Sequence, residues 1–195
     1  MRGNLRHFHL DRELNALFSA PANRIRSAMA SDWEYFYERH AKSILDSSFR
    51  VLGNLADAED VAQEVFLEIF RAGRIEQYFD QPALLRSMAV RRSIDRLRSR
   101  KRHPAFDTTQ LQSREPCPSE HVKAQELEEL LRNEIQKMSP REAEIFCLSA
   151  FENMNNQSIA TALRLTTNSV AKHLSTAKKK LSELIDTKEL ETNHE

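Results

Sequence analysis

DAEDVAQEVFLEIFRA (residues 57–72) is followed closely by LLRSMAVRRSIDRLRSRKR (residues 84–102), and the two stretches carry charge of opposite sign. From Leu55 to Phe70 the charged residues are Asp57, Glu59, Asp60, Glu64 and Glu68, with no Lys or Arg among them. From Arg86 to His103 the cations are Arg86, Arg91, Arg92, Arg96, Arg98, Arg100, Lys101 and Arg102, against the single acid Asp95. Projected at about 100° per residue, the first stretch puts Val61, Ala62, Val65, Phe66 and Ile69 on one apolar face, which predicts an amphipathic helix. Asp60, Gln63 and Glu64 lie opposite, with Leu67 in their midst. A lone exposed leucine is ordinary, but an apolar centre inside a polar rim is also the anatomy of a contact surface. Charge segregation on this scale suggests one basic partner and one polyanionic partner.

The second helix is announced by Asp80, Gln81 and Pro82, with Asp80 placed to cap and Pro82 in the first turn. Leu85, Met88, Ala89, Val90, Ile94 and Leu97 provide its packing surface. One or two cations near its C-terminus would complement the helix dipole. The full set of arginines is better explained by phosphate neutralisation, with a merely solvated basic face as the plain alternative.

These residues carry a family resemblance. Residues 57–72 resemble the polymerase-core-binding helix of bacterial RNA polymerase sigma factors of the extracytoplasmic-function (ECF) group, whose pattern is close to DAEDLVQETFLRAW. Residues 84–102 resemble the promoter minus-ten helix of the same family, with a pattern like WLYRIARNLALDHLRRRRR. Leu84 stands where the family usually has Trp and Arg91 where it has Asn, while Asp95 and Arg98 agree. The resemblance implies that Asp60, Gln63, Glu64 and Leu67 dock on the coiled-coil clamp of the large polymerase subunit. It also implies that Tyr78, Arg91, Arg92, Arg98 and Arg100 handle minus-ten DNA.

Working outward, the chain has 195 residues, 40% of them hydrophobic and 30% charged, with no net charge, which suits two compact domains. Three glycines and few alternating apolar segments argue against sheet, so the expected class is all-α. No apolar run approaches the roughly 18 residues of a membrane span, and membrane insertion is not expected. Cys117 and Cys147 lack metal-ligand spacing and read as reduced cytosolic thiols, placing the protein in the cytoplasm. No Gly-rich phosphate loop, nucleophile elbow or metal spacing occurs, so neither a cofactor nor an enzymatic activity is expected.

Residues 1–31 read as an extension that lacks the apolar core of a signal peptide, with Met29 a candidate start. From Asp32, Trp33, Phe36, Tyr37, Ile44, Leu45, Phe49 and Leu52 recur at mostly three- and four-residue steps, predicting packed helix up to Gly53 and Asn54. Between the charged helices, Tyr78 and Phe79 stand near Arg74. Aromatics beside cations suit base stacking, with Tyr78 the better candidate and Phe79 a core plug.

Residues 104–121, with Pro104, Pro116 and Pro118, read as a flexible linker. It separates a first domain, 32–103, from a second, 122–187, followed by a tail, 188–195. In the second domain Leu127, Leu130, Leu131 and Ile135 form an expected buried stripe. Ser139, Pro140 and Glu142 form a capping box. Ile145, Phe146 and Leu148 are expected inward.

Gln157 to Leu163, a turn at Arg164 and Leu165, a cap at Thr166 and a helix from Asn168 to Leu181 follow the helix-turn-helix plan. Val170, Leu174, Ala177 and Leu181 turn inward, and Ala160 is small where the two helices cross. Outward stand Thr167, Asn168, Ser169, Lys172, His173, Thr176 and Lys179. Short polar groups at the tip and cations behind suit base reading and phosphate holding. This segment resembles the minus-thirty-five domain of the same family, although Arg164 replaces the usual turn Gly and Ala171 and His173 replace common Lys and Arg.

The expectation is a sigma factor of two small helical domains that binds RNA polymerase core and promoter DNA and directs transcription initiation. An anti-sigma protein is a candidate third partner. The alternative is a helix-turn-helix regulator acting without polymerase, which leaves the basic helix idle. A metal-dependent nuclease built on Asp57, Glu59, Asp60 and Glu64 is disfavoured, because carboxylates at helical spacing with no supporting His are ordinarily solvated.

Overall fold

A computed structural model describes residues 25–73, 75–78, 80–102 and 119–192. Among them every regular element is helical: α1 (Ile25–Leu52), α2 (Leu55–Ala72), a 3-10 turn (Ile75–Gln77), α3 (Pro82–Arg102), α4 (Ser119–Lys137), α5 (Pro140–Ala150), α6 (Asn156–Leu163) and α7 (Thr167–Thr192). The chain divides into two compact units, Met1–Arg39 and His40–Glu195. In the first, Trp33 stacks on Phe36 with ring centroids 5.8 Å apart, and Phe36 is fully buried.

Within the second unit α3 is the central element, in contact with α2 on one side and with α4, α5 and α6 on others. The inward face expected of α2 is observed: Val61, Ala62, Val65, Phe66 and Ile69 are all buried. Helix α2 packs against α3, whose own buried residues are Leu85, Met88, Ala89, Val90, Ile94 and Leu97. A second core joins Ile145, Phe146, Leu148, Ile159, Val170 and Ala177, where α5, α6 and α7 meet, and Ile135 of α4 is fully buried as well.

Local signals explain where these helices begin and end. The Asn54 side chain accepts a hydrogen bond from the Asp57 backbone N–H at 3.1 Å, and α2 ends at Gly73, whose φ of 62° is the left-handed region that glycine adopts without strain. The Ser139–Glu142 capping box is formed with both of its hydrogen bonds. Cys147 is buried, and burial pushes its thiol pKa up, so it is an inert core residue.

Several expectations need correction. The first helix begins at Ile25, within the segment read as an extension, and runs unbroken to Leu52. Pro82 opens α3 as expected, but Gln81 stands just before it, and its carbonyl accepts from the Leu85 N–H at 3.1 Å. Helix α4 begins at Ser119, and α7 continues to Thr192, through most of the expected tail. Leu127 is 60% exposed and Phe49 45% exposed, because no neighbouring element covers those parts of the stripes read as buried. Arg74, Phe79, Cys117 and residues 104–118 of the linker lie outside the described residues.

Candidate nucleic-acid interface

The two charged helices run side by side, and their charges meet. Arg100 pairs with Asp57. Arg96 donates to Asp57 at 3.1 and 3.2 Å and to Asp60 at 2.6 Å, and it lies 3.7 Å from Glu64. Arg92 donates to Glu68 at 2.8 Å, a bond that raises the guanidinium pKa further. Positions 92, 96 and 100 are one helical turn apart, and so are their partners read in reverse, giving an antiparallel ladder of ion pairs between α2 and α3. The arginines are about a third exposed or somewhat more, so each rung contributes at most about 1 kcal/mol in solvent.

The opposite charges of these helices therefore serve each other. Arg96, counted from the sequence among the phosphate-neutralising cations, instead faces Asp57, Asp60 and Glu64, and its four-residue spacing from Arg92 and Arg100 puts all three on one face.

On the outer side of α2, Asp60 and Glu64 are exposed, while Gln63 and Leu67 are half-buried. Leu67 therefore keeps apolar surface in solvent beside two carboxylates. On α3, Arg91 is exposed and Arg98 donates to the Met138 carbonyl at 2.8 Å. Tyr78 is half-buried just after the 3-10 turn, where its N–H donates to the Ile75 carbonyl at 2.9 Å.

The helix-turn-helix is formed by α6 and α7. Asn155 caps α6 through a 2.8 Å bond from Ser158 N–H, and Thr166 Oγ1 caps α7 by accepting from Ser169 N–H at 3.2 Å. Between them Arg164 has φ 55° and ψ 46°, the left-handed conformation implied by its standing at a glycine position. Ala160 is buried at the helix crossing.

Thr167, Asn168, Lys172 and Lys179 are exposed, whereas Ser169, His173 and Thr176 are half-buried at the edge of the same face. Lys180, one residue on, is committed internally. It donates to Glu142 at 2.7 Å, and that bond is the main cause of a lowered Glu142 pKa.

Arg164→Gly is expected to stabilise the protein. A left-handed L-residue costs about 1–2 kcal/mol, and glycine returns roughly 0.5–1 kcal/mol of that as backbone entropy. A net gain of about 0.5–1 kcal/mol should raise the melting temperature by a few degrees. A lower melting temperature would mean that the Arg164 side chain makes contacts worth more than the strain.

Comparison with known proteins accords with this arrangement. Residues 36–103 match the family described as sigma-70 region 2, and residues 128–181 match sigma-70 region 4. Together they span more than half of the chain. No curated protein matches it. Among solved structures, the fold is similar to that in "Structure of CnrH in complex with the cytosolic domain of CnrY", with TM-score 0.52 and 19% identity, covering 86% of this chain and 99% of that one.

The chain belongs to the sigma-70 family, the promoter-recognition factors of bacterial RNA polymerase. Its fold is similar to that of CnrH. As a sigma factor it works with RNA polymerase core and promoter DNA to direct transcription initiation, and a regulator acting without polymerase is not favoured. No helix among the described residues is long and apolar enough to cross a membrane.

Proposed function

We propose that the two modules divide promoter recognition and that one face of α2 holds the polymerase. Asp60, Gln63, Glu64 and Leu67 form the core-binding surface. Tyr78, Arg91, Arg92, Arg98 and Arg100 serve the minus-ten element, and Thr167, Asn168, Ser169, Lys172, His173, Thr176 and Lys179 serve the minus-thirty-five element. The domain limits are 32–103 and 122–187, joined by a linker at 104–121. The protein acts in the cytoplasm as a non-enzymatic factor, and an anti-sigma protein regulates it, as a CnrY domain is bound to CnrH in the related structure.

The observation that supports this reading best is Leu67, half-buried between the exposed carboxylates Asp60 and Glu64 on the side of α2 away from its core. A basic partner with an apolar pocket would satisfy both features. Co-purification of the full chain with RNA polymerase core, followed by run-off transcription, tests it. A chain that bound promoter DNA but not core would sink the proposal.

Salt dependence tests the minus-ten assignment separately. Replacing Arg98 and Arg100 by Ala should lower the slope of log K against log salt by up to about 0.9 per residue on duplex DNA, or about 0.7 on a single strand. An unchanged slope would mean that both stay on the Met138 carbonyl and Asp57 in the initiation complex.

A further inference from the structure

Among the arginines of α3, Arg96 meets the largest number of acids on α2. Its Nε and Nη2 donate to Asp57 Oδ1 at 3.2 and 3.1 Å, Nη2 also donates to Asp60 Oδ2 at 2.6 Å, and Nη1 lies 3.7 Å from Glu64 Oε1. One planar guanidinium thus faces three carboxylates, a fork that a lysine cannot supply. The acids differ in burial. The Asp57 side chain is 12% exposed and is held a second time by Arg100, whereas those of Asp60 and Glu64 are 56% and 48% exposed. Asp57 therefore anchors the guanidinium on the seam between α2 and α3, and the rest of the fork serves the two acids of the outer face.

Asp60 and Glu64 stand one helical turn apart, so their like charges repel. A cation lodged beside both relieves the repulsion and restricts their rotamers. It engages one oxygen of each. Among the described residues no hydrogen bond or ion pair falls on Asp60 Oδ1 or Glu64 Oε2, so each acid keeps an oxygen to offer a basic partner.

We propose that Arg96 is a positioning residue of the polymerase-binding surface: anchored on Asp57, it holds Asp60 and Glu64 in place for basic groups of core. This role rests on the assignment of Asp60 and Glu64 to core. Binding loses affinity to the ordering of flexible side chains, and Arg96 imposes that order before core arrives. It also neutralises part of the charge of both acids. Were neutralisation the larger effect, removing Arg96 would tighten core binding, so the sign of the change decides.

The test measures the affinity of the full chain for purified polymerase core in a double-mutant cycle. Arg96→Gln is expected to weaken binding by roughly three- to tenfold, the ordering cost of about one long side chain. Arg96→Lys should lose at least about twofold, because it keeps the charge but reaches fewer carboxylates at a time. It carries the test if Arg96→Gln does not fold. In a chain already carrying Asp60→Asn and Glu64→Gln, either change at Arg96 should alter core affinity by less than about twofold. A role confined to joining the helices would lower affinity in both backgrounds.

Core binding that is unchanged or tighter in every folded Arg96 variant overturns the proposal, and so does an equal loss with and without the two acids. A minus-ten salt slope that fell by about 0.7 or more with core in saturating excess would place Arg96 on DNA instead. Failure of the core-binding assignment would look different: Asp60→Asn with Glu64→Gln would then leave core affinity as it is, and the role of Arg96 would fall with it.

Discussion

Exchanging Ser169, Lys172, His173 and Thr176 for their counterparts in another sigma factor is expected to shift upstream-element preference by about ten- to a hundredfold, with core affinity unchanged. A well-formed side-chain-to-base contact discriminates by roughly 1–3 kcal/mol, so one or two altered contacts reach that range. The exchange should leave the fold intact. The four side chains lie along the outer edge of α7, whereas the helix is seated by Val170 and Ala177, both fully buried, and started by the Thr166 cap.

The downstream preference should not move, because on this assignment it belongs to the segment from Gly73 to Arg102, in the other module. Run-off transcription on promoters with the two elements shuffled decides the matter. A changed downstream preference with the upstream one intact would show that α7 is not the upstream reader.

Leu67→Glu is expected to weaken association with polymerase core by at least about thirtyfold, the effect of losing an interface anchor worth roughly 2 kcal/mol or more. The mechanism is twofold: an apolar contact is lost, and a carboxylate that must be desolvated is placed among Asp60 and Glu64. Stability should fall by no more than about 1 kcal/mol, because Leu67 is only half-buried and the core face of α2 is left untouched. Capture of core polymerase by the purified variant, with a melting curve alongside, separates the two effects. A variant that unfolded would place Leu67 in the core and overturn the choice of outer face.

The ladder between α2 and α3 bears on both experiments. Asp60 and Glu64 are assigned to polymerase, yet they also face Arg96, while Arg92 and Arg100, assigned to DNA, face Glu68 and Asp57. On this assignment core docking and minus-ten binding draw on one set of partly exposed ion pairs. Exposed pairs of this kind exchange partners at little cost, which makes the ladder compatible with either ligand.

What the sequence determined by itself was local. The period of Val61, Ala62, Val65, Phe66 and Ile69, the Ser139–Glu142 capping box, the Thr166 cap and the turn at Arg164 each depend on residues a few positions apart. All of them stand in the structure where the sequence put them. The helix-turn-helix followed from the same short-range code, with its buried Ala160, Val170 and Ala177.

The tertiary structure decided whatever depends on which surfaces meet. Leu127 and Phe49 continue apolar stripes yet stay exposed, because periodicity specifies a face and not its cover. The arginines of α3 looked wholly available to phosphate until α2 and Glu152 came to face them, across 24 and more residues of chain. A charge's spacing along one helix says nothing of an acid brought to it from another, so ion pairing between helices could be decided only by the packing of the folded chain.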